Sequence, residues 1–306
     1  MEKSVVLDML KKYTSVVIWG LKEPTNTSTQ RHIHRHLFMV LSKIGANMHW
    51  CSNTSEDNDL IPTGSLVITS EQCRAHLLHK KENWYASFHA PDGIADCKNF
   101  LNMRVYGDSE PQCESVQWGP TIIFSKQDHI LWQSFGTNLL PDEFLPPVFN
   151  PTGPVNWVGS IWNDAKNQGN IKNMYALREA LQRRGIDFIH CQDISDEENI
   201  VKVRQSRIAP AIGGEFQTKA MLPCRIWKNI SYGHLGVTNL SRSLDVFGFD
   251  VIYNPNIEEL IGQALSIKET DYKEITARQQ EAVAKGHTYL DWLYNTCRAL
   301  EELGIQ

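Results

Sequence analysis

Long apolar runs, paired cysteines and surplus positive charge are all missing from this 306-residue chain. No stretch approaches the roughly 18 consecutive apolar residues that span a bilayer. The start, M-E-K-S-V-V-L-D-M-L-K-K, reads as an amphipathic segment instead of a signal peptide. No membrane span and a cytoplasmic location are therefore expected. Seven cysteines, at 51, 73, 97, 113, 191, 224 and 297, are odd in number and widely scattered, with no C-x-x-C. That excludes a disulfide framework or a structural zinc site and leaves reduced thiols. A formal net charge of −5 argues against nucleic acid as the main partner, because that role needs a basic field. The G-x-G-x-x-G fingerprint is absent from both Gly20–Gln30 and Trp157–Asp164, which removes the main support for an NAD or FAD enzyme.

What is present is an α/β rhythm, twice over. Ser15–Trp19 is an apolar run ending at Gly20, and Ile33, Leu37, Val40, Leu41 and Ile44 then recur at helical spacing until Gly45. Met48–Cys51 and Leu66–Thr69 follow as short strands, and Trp84–Phe88, Met103–Tyr106, Thr121–Phe124 and Ile130–Gln133 add others. The pattern is that of a doubly wound domain. Between Leu139 and Pro154 the prolines preclude a regular helix or a central strand and mark a boundary. The rhythm then restarts with a strand at Val155–Ile161, a helix at Ile171–Arg184, a strand at Ile186–Cys191 and a helix at Asp196–Gln205. Residues 1–150 are expected to form one domain and 151–285 a second, with a ligand cleft between them. The chain should end in a long helical region, Asp271–Leu303, whose last part, 286–306, braces the first domain.

The richest chemistry lies in the second half. R-I-A-P-A-I-G-G-E-F-Q, Arg207–Gln217, reads as a buried strand ending in Gly213 and Gly214, where backbone N–H groups can approach a phosphate. Behind it, Pro223–Asn239 reads as a short helix, a glycine turn at Gly233 and a strand start at Thr238 and Asn239. Arg225, Lys228, Asn229 and Tyr232 share one helix face, with Ile226, Trp227 and Ile230 on the other. A helix with that polar face beside a glycine turn can hold an anion, arginine binding it bidentately and lysine as a point charge, set against the plainer reading of a solvated basic face. Gln217 and Ser231 belong to the same candidate set, and Ser160, after the Val155 strand, is placed to touch a sugar or a phosphate.

The first half offers weaker signals. His32, His34 and His36 form H-x-H-x-H, but only His32 and His36 share a helix face and no nearby Glu or Cys completes a metal site. His32, nearest the first strand's loop, is the better candidate for a general base, set against a solvated helix face. Asp57-Asn58-Asp59 matches the D-x-D pattern of metal-dependent sugar transferases, yet it follows a polar, turn-favouring run and not an apolar strand. Asp57 remains a candidate base, and no metal or other cofactor is expected.

On C-R-I-W-K-N-I-S-Y-G-H-L-G-V-T-N and on W-Q-S-F-G-T-N-L-L-P-D-E-F, Trp132–Phe144, the chain resembles GT-B glycosyltransferases, including a group from large DNA viruses that build capsid glycans. The resemblance implies two Rossmann-like domains facing a cleft. It further implies a donor sugar linked to UDP or GDP held by the C-terminal domain, a glycan acceptor on the N-terminal side and, for a virus, the host cytoplasm. Many members carry a glutamate five residues before the helix-ending glycine, where it holds the ribose. Here that position is Lys228, which is expected to meet phosphate instead. A sugar-nucleotide epimerase and a non-catalytic glycan or nucleotide-sugar binder stay open as alternatives.

Overall fold

The computed structural model describes residues 1–22, 29–88, 99–105, 114–215 and 222–304. Two compact units result, Met1–Leu140 with Thr288–Gln306, and Pro141–His287. The first change of unit thus falls at the start of the proline-rich segment, ten residues before 150. No helix among the described residues is long and apolar enough to cross a membrane.

The first unit is built on an eight-stranded sheet in the order β2-β1-β3-β4-β5-β8-β7-β6. Its strands are β1 (Val16–Trp19), β2 (Met48–Cys51), β3 (Leu66–Ser70), β4 (Trp84–Phe88), β5 (Phe100–Val105), β6 (Val116–Gly119), β7 (Ile122–Ser125) and β8 (Ile130–Gln133). The pairs among β1, β2, β3, β4, β5 and β8 are parallel, and β7 and β6 add an antiparallel edge. β1 and β3 are buried along their whole length, which explains why they read as continuous apolar runs without alternation. Helix α1 is Lys3–Leu10 and α2 is Thr29–Lys43, whose Ile33, Leu37, Val40 and Leu41 are buried as the helical spacing requires.

In the second unit, β9 (Val155–Val158) pairs in parallel with β10 (Phe188–Cys191), and β11 (Pro210–Ala211), β12 (Val237–Thr238) and β13 (Ile252–Tyr253) form a parallel triplet. The two groups meet where the Arg207 N–H donates to the Pro154 carbonyl at 2.7 Å and the Asn156 N–H to Ser206 Oγ at 3.0 Å. The pair β10-β9 and the triplet β11-β12-β13 stay separate sheets, joined by these bonds near the amino ends of β9 and β11. Among the described residues the helices of eight or more residues are α3 (Ile171–Gln182), α4 (Asp196–Gln205), α5 (Cys224–Ser231), α6 (Ile257–Ser266) and α7 (Glu269–Ala284). Ser195 and Glu198 close a capping box at the start of α4.

The expected helical region at Asp271–Leu303 consists of two helices, α7 and α8 (Tyr289–Glu302). Gly286 interrupts the first, and Thr288 starts the second by a reciprocal capping box with Asp291. Helix α8 belongs to the first unit, where Thr296 Oγ1 accepts from Gln133 Nε2 at 3.2 Å and Lys12 pairs with Glu301.

Candidate functional site

In open α/β sheets ligands meet the carboxyl ends of strands at the point where the winding reverses. In the second unit the residues after Val158 and Ala211, at the carboxyl ends of β9 and β11, define the place to look. Gly159 follows β9 with φ +124°, a conformation that favours glycine. Its carbonyl lies 2.8 Å from Nε2 of the exposed His190, at the end of β10.

Arg225, in the first turn of α5, reaches this edge. Its Nε donates to the Val158 carbonyl at 3.0 Å and its guanidinium lies 3.7 Å from the centre of the Trp157 ring. A Cβ on Gly159 would fall 2.4 Å from Arg225 Nη2, so the glycine makes room for the guanidinium. Burial pulls its pKa down to about 10, slightly offset by Cys224, which still leaves it charged at neutral pH. Among the described residues no carboxylate pairs with it, and neither Nη group has a hydrogen-bond partner. A partly buried cation with no counter-ion among the described residues is a site for an anion.

The rest of α5 is arranged differently from the expected shared face for an anion. Asn229, Ser231 and Tyr232 are buried. Asn229 Nδ2 donates to the Ala209 carbonyl at 2.8 Å, and Ser231 Oγ to the Lys228 carbonyl at 2.9 Å. The Lys228 ammonium stands 3.9 Å from the Asp196 carboxylate, both side chains being largely buried. The physical reason lies in the winding. Helix α5 runs away from the ligand edge at 1.5 Å per residue, so Gly233 lies about 12 Å along the axis from Arg225. Gly233 (φ +92°) ends the helix, and a Cβ there would fall 2.3 Å from the Pro146 carbonyl oxygen. Its role is packing.

The glycine pair is also explained by packing. A Cβ on Gly214 would fall 2.2 Å from the Gly169 carbonyl oxygen, so two loops touch backbone to backbone. The Gly213 amide, expected to face a phosphate, donates to Asn239 Oδ1 at 2.9 Å. Its carbonyl accepts from Asn173 Nδ2 at 2.7 Å and from Asn239 Nδ2 at 3.2 Å. Thr238 Oγ1 donates to the Ala211 carbonyl at 2.7 Å. Gln217 lies outside the described residues. Ser160 is exposed at the ligand edge, with its carbonyl held by Asn170 Nδ2 at 3.2 Å.

The sequence reading passed over one cation. The loop from Gly159 to Asn170 is stiffened by its own side chains: Asp164 Oδ1 accepts from the amides of Lys166 and Gln168 at 3.1 and 2.7 Å, Asn163 Oδ1 accepts from Gly169 at 3.2 Å, and Asn170 Oδ1 accepts from Trp162 at 2.9 Å. Lys166 stands exposed on it, without a partner among the described residues. The run N-D-A-K-N-Q-G-N directly after an apolar strand carried the signal, since Asn and Asp at such spacing build side-chain-closed turns.

In the first unit the winding reverses between β1 and β3. Ser70 Oγ, at the end of β3, bonds Gln30 Oε1 of α2 at 3.1 Å, and His32 follows on the same helix, half-buried. The His32 and His36 rings lie 6.2 Å apart, while His34 is buried against Phe88 at 5.2 Å between ring centres. Among the described residues no cluster of three or more His, Cys, Asp or Glu is positioned to hold a metal ion. Asp57 is half-buried in the turn Ser55–Leu60, after β2, and its charge helps to raise the Cys51 thiol, behind burial as the main cause. Neighbouring Asn58 is structural, bonding the Ser55 and His76 carbonyls and the Leu78 amide.

No family model matches this sequence, and no curated protein matches it. Solved structures do match its fold. An α-glucosyltransferase in complex with UDP and a 13-mer DNA containing an HMU base aligns at a TM-score of 0.60 and 8% identity, over 94% of this chain and 99% of that one. The β-glucosyltransferase of T4 phage aligns at 0.54 and 12%, over 94% and 98%. A UDP-forming α,α-trehalose-phosphate synthase from Burkholderia xenovorans, in complex with glucose-6-phosphate, aligns at 0.54 and 10%, over 97% and 96%. The fold is of the GT-B type. Its two Rossmann-like units are the ones described above, and at these identities the likeness is one of fold alone.

Proposed function

We propose that the protein transfers a sugar from a nucleoside-diphosphate sugar, linked to UDP or GDP, to a hydroxyl of a glycan acceptor. The observation that carries the reading is Arg225, a charged guanidinium with open Nη groups at the carboxyl edge of the second unit's sheet. GT-B architecture with UDP-using neighbours supports it, and so does the resemblance of Trp132–Phe144 to viral capsid-glycan proteins. The net charge of −5 favours a glycan over a polyanion as acceptor.

In this reading the acceptor hydroxyl oxygen bonds to the anomeric carbon, the bond from that carbon to the diphosphate breaks, and its electron pair goes to the leaving oxygen. Arg225 and Lys166 would take up that charge by preorganised electrostatics, without a divalent cation. Lys228, drawn to Asp196, would act from behind them. If configuration inverts, His32 or Asp57 would accept the acceptor proton; if it is retained, the proton would pass to the leaving phosphate oxygen and no such base is required.

The test is a panel of UDP- and GDP-sugars, first by thermal shift and then by product analysis with and without acceptor, in the presence of a chelator. Stabilisation by a nucleoside diphosphate and acceptor-dependent sugar transfer are expected. Isomerised donor without acceptor would mean an epimerase. Binding with neither transfer nor hydrolysis would mean a non-catalytic binder.

A further inference from the structure

We infer that Trp157 is a positioning residue for the anion site, acting through Arg225; the inference rests on the donor-site reading above. Trp157 sits in β9, is 1% exposed and packs in the second unit's core. By burial alone it would be an ordinary core residue. Three consecutive residues at the end of this strand nevertheless each constrain a different part of one side chain. The Trp157 ring supports the guanidinium at 3.7 Å, the Val158 carbonyl anchors Nε at 3.0 Å, and Gly159 leaves a slot for Nη2.

A flat cation is oriented well by a flat support. Arginine loses several rotamers when it is fixed on a ligand, and that loss weakens binding. Here the ordering occurs on folding, so the two open Nη groups meet an incoming anion already arranged. The indole Nε1–H of Trp157 is buried without an acceptor among the described residues. The ring's place is therefore not explained by a hydrogen bond of its own, and its face is the part in use. Phenylalanine should preserve the function; an aliphatic side chain of similar bulk should not.

The experiment measures the affinity of the full chain for UDP and for GDP in wild type, Trp157→Phe, Trp157→Met, Trp157→Leu, Arg225→Ala and the Trp157→Leu/Arg225→Ala double variant, with thermal unfolding recorded for each. Trp157→Leu and Trp157→Met should weaken the diphosphate that binds wild type by roughly five- to thirtyfold, the scale of a desolvated cation–π contact. Trp157→Phe should stay within about threefold of wild type, and the double variant should bind no more weakly than Arg225→Ala. Should the Leu variant fail to fold, the Met variant carries the comparison. The inference is overturned if the Phe variant binds as weakly as the aliphatic ones, or if Trp157→Leu weakens binding further once Arg225 is gone. Wild-type affinity in Arg225→Ala would instead sink the donor-site reading, and this inference with it.

Discussion

Asn239 clamps Gly213 at both ends of one residue: its Oδ1 accepts from the glycine amide at 2.9 Å and its Nδ2 donates to the glycine carbonyl at 3.2 Å. The clamp ties the end of β12 to the loop after β11, and Asn173 reinforces it from α3 at 2.7 Å. Two adjacent strand ends at the ligand edge are thus locked together by amide side chains, with no charge consumed. The cations at that edge stay available for a ligand.

Asn239→Ala should therefore cost stability more than chemistry. It leaves the buried Gly213 amide without its acceptor, a loss of about 1–3 kcal/mol. Asn239→Asp should be worse, because a carboxylate brings an uncompensated charge and cannot donate to the carbonyl. Denaturant unfolding measures both. A neutral Asn239→Ala would mean that water replaces the side chain freely.

Much of the fold was legible because it rests on local rules. The runs at β1 and β9, the spacing of Ile33 to Ile44 and the start of α4 at Asp196 were all readable from apolar patterning and caps. The site was legible only in part. Helix α5 shows its sidedness in sequence, but periodicity reports two faces and not what covers each. Asn229 and Ser231 turned inward because backbone carbonyls wait for them at Ala209 and Lys228. Trp157 under Arg225 is a contact between residues 68 positions apart by their numbers. No spacing rule encodes it.

Two glycines with positive φ should separate structure from binding. Gly233→Ala meets the Pro146 carbonyl and strains a backbone at φ +92°, so it should destabilise by about 1–3 kcal/mol or more and leave diphosphate affinity nearly intact in the folded fraction. Gly159→Ala drives a methyl into Arg225 Nη2 and should lower diphosphate affinity by about tenfold or more, the effect of losing one charge-assisted contact. Equal binding losses in the two would remove the distinction drawn between them.

Acid should destabilise the native state through buried histidines. Burial lowers His34 and His234 to about 4 and His287 to about 3; the Gly20 backbone partly offsets the shift at His34, while at His234 the Arg204 backbone opposes it and the Arg204 charge adds to it. His287 is stacked on Trp227 at 4.1 Å with planes 1° apart, where no charge is solvated. The unfolded chain binds these protons near pH 6.5, the folded one does not, so stability is present above 6.5 and falls as pH drops toward 4. The limiting slope is about 1.4 kcal/mol per pH unit for each histidine. His287→Phe should flatten it by one group's share, read from unfolding free energies at pH 7, 6, 5 and 4. An unchanged slope would show that His287 takes up its proton in the folded protein.

Lys228 and Arg225 stand one turn apart on α5, yet their surroundings assign them different work. Lys228 faces a largely buried carboxylate at 3.9 Å, while Arg225 has no described carboxylate at all. Lys228→Met removes the cation that faces the largely buried Asp196 carboxylate, which should cost about 1–3 kcal/mol of stability. Diphosphate affinity should fall far less in Lys228→Met than in Arg225→Ala or Lys166→Ala. Lys166 is exposed, so its contribution should also shrink as salt is raised, whereas that of the sheltered Arg225 should persist. Titrations of all three variants with UDP and GDP at low and high ionic strength test the ranking. If Lys228→Met loses as much affinity as Arg225→Ala, its ammonium leaves Asp196 for the ligand and belongs to the donor site after all.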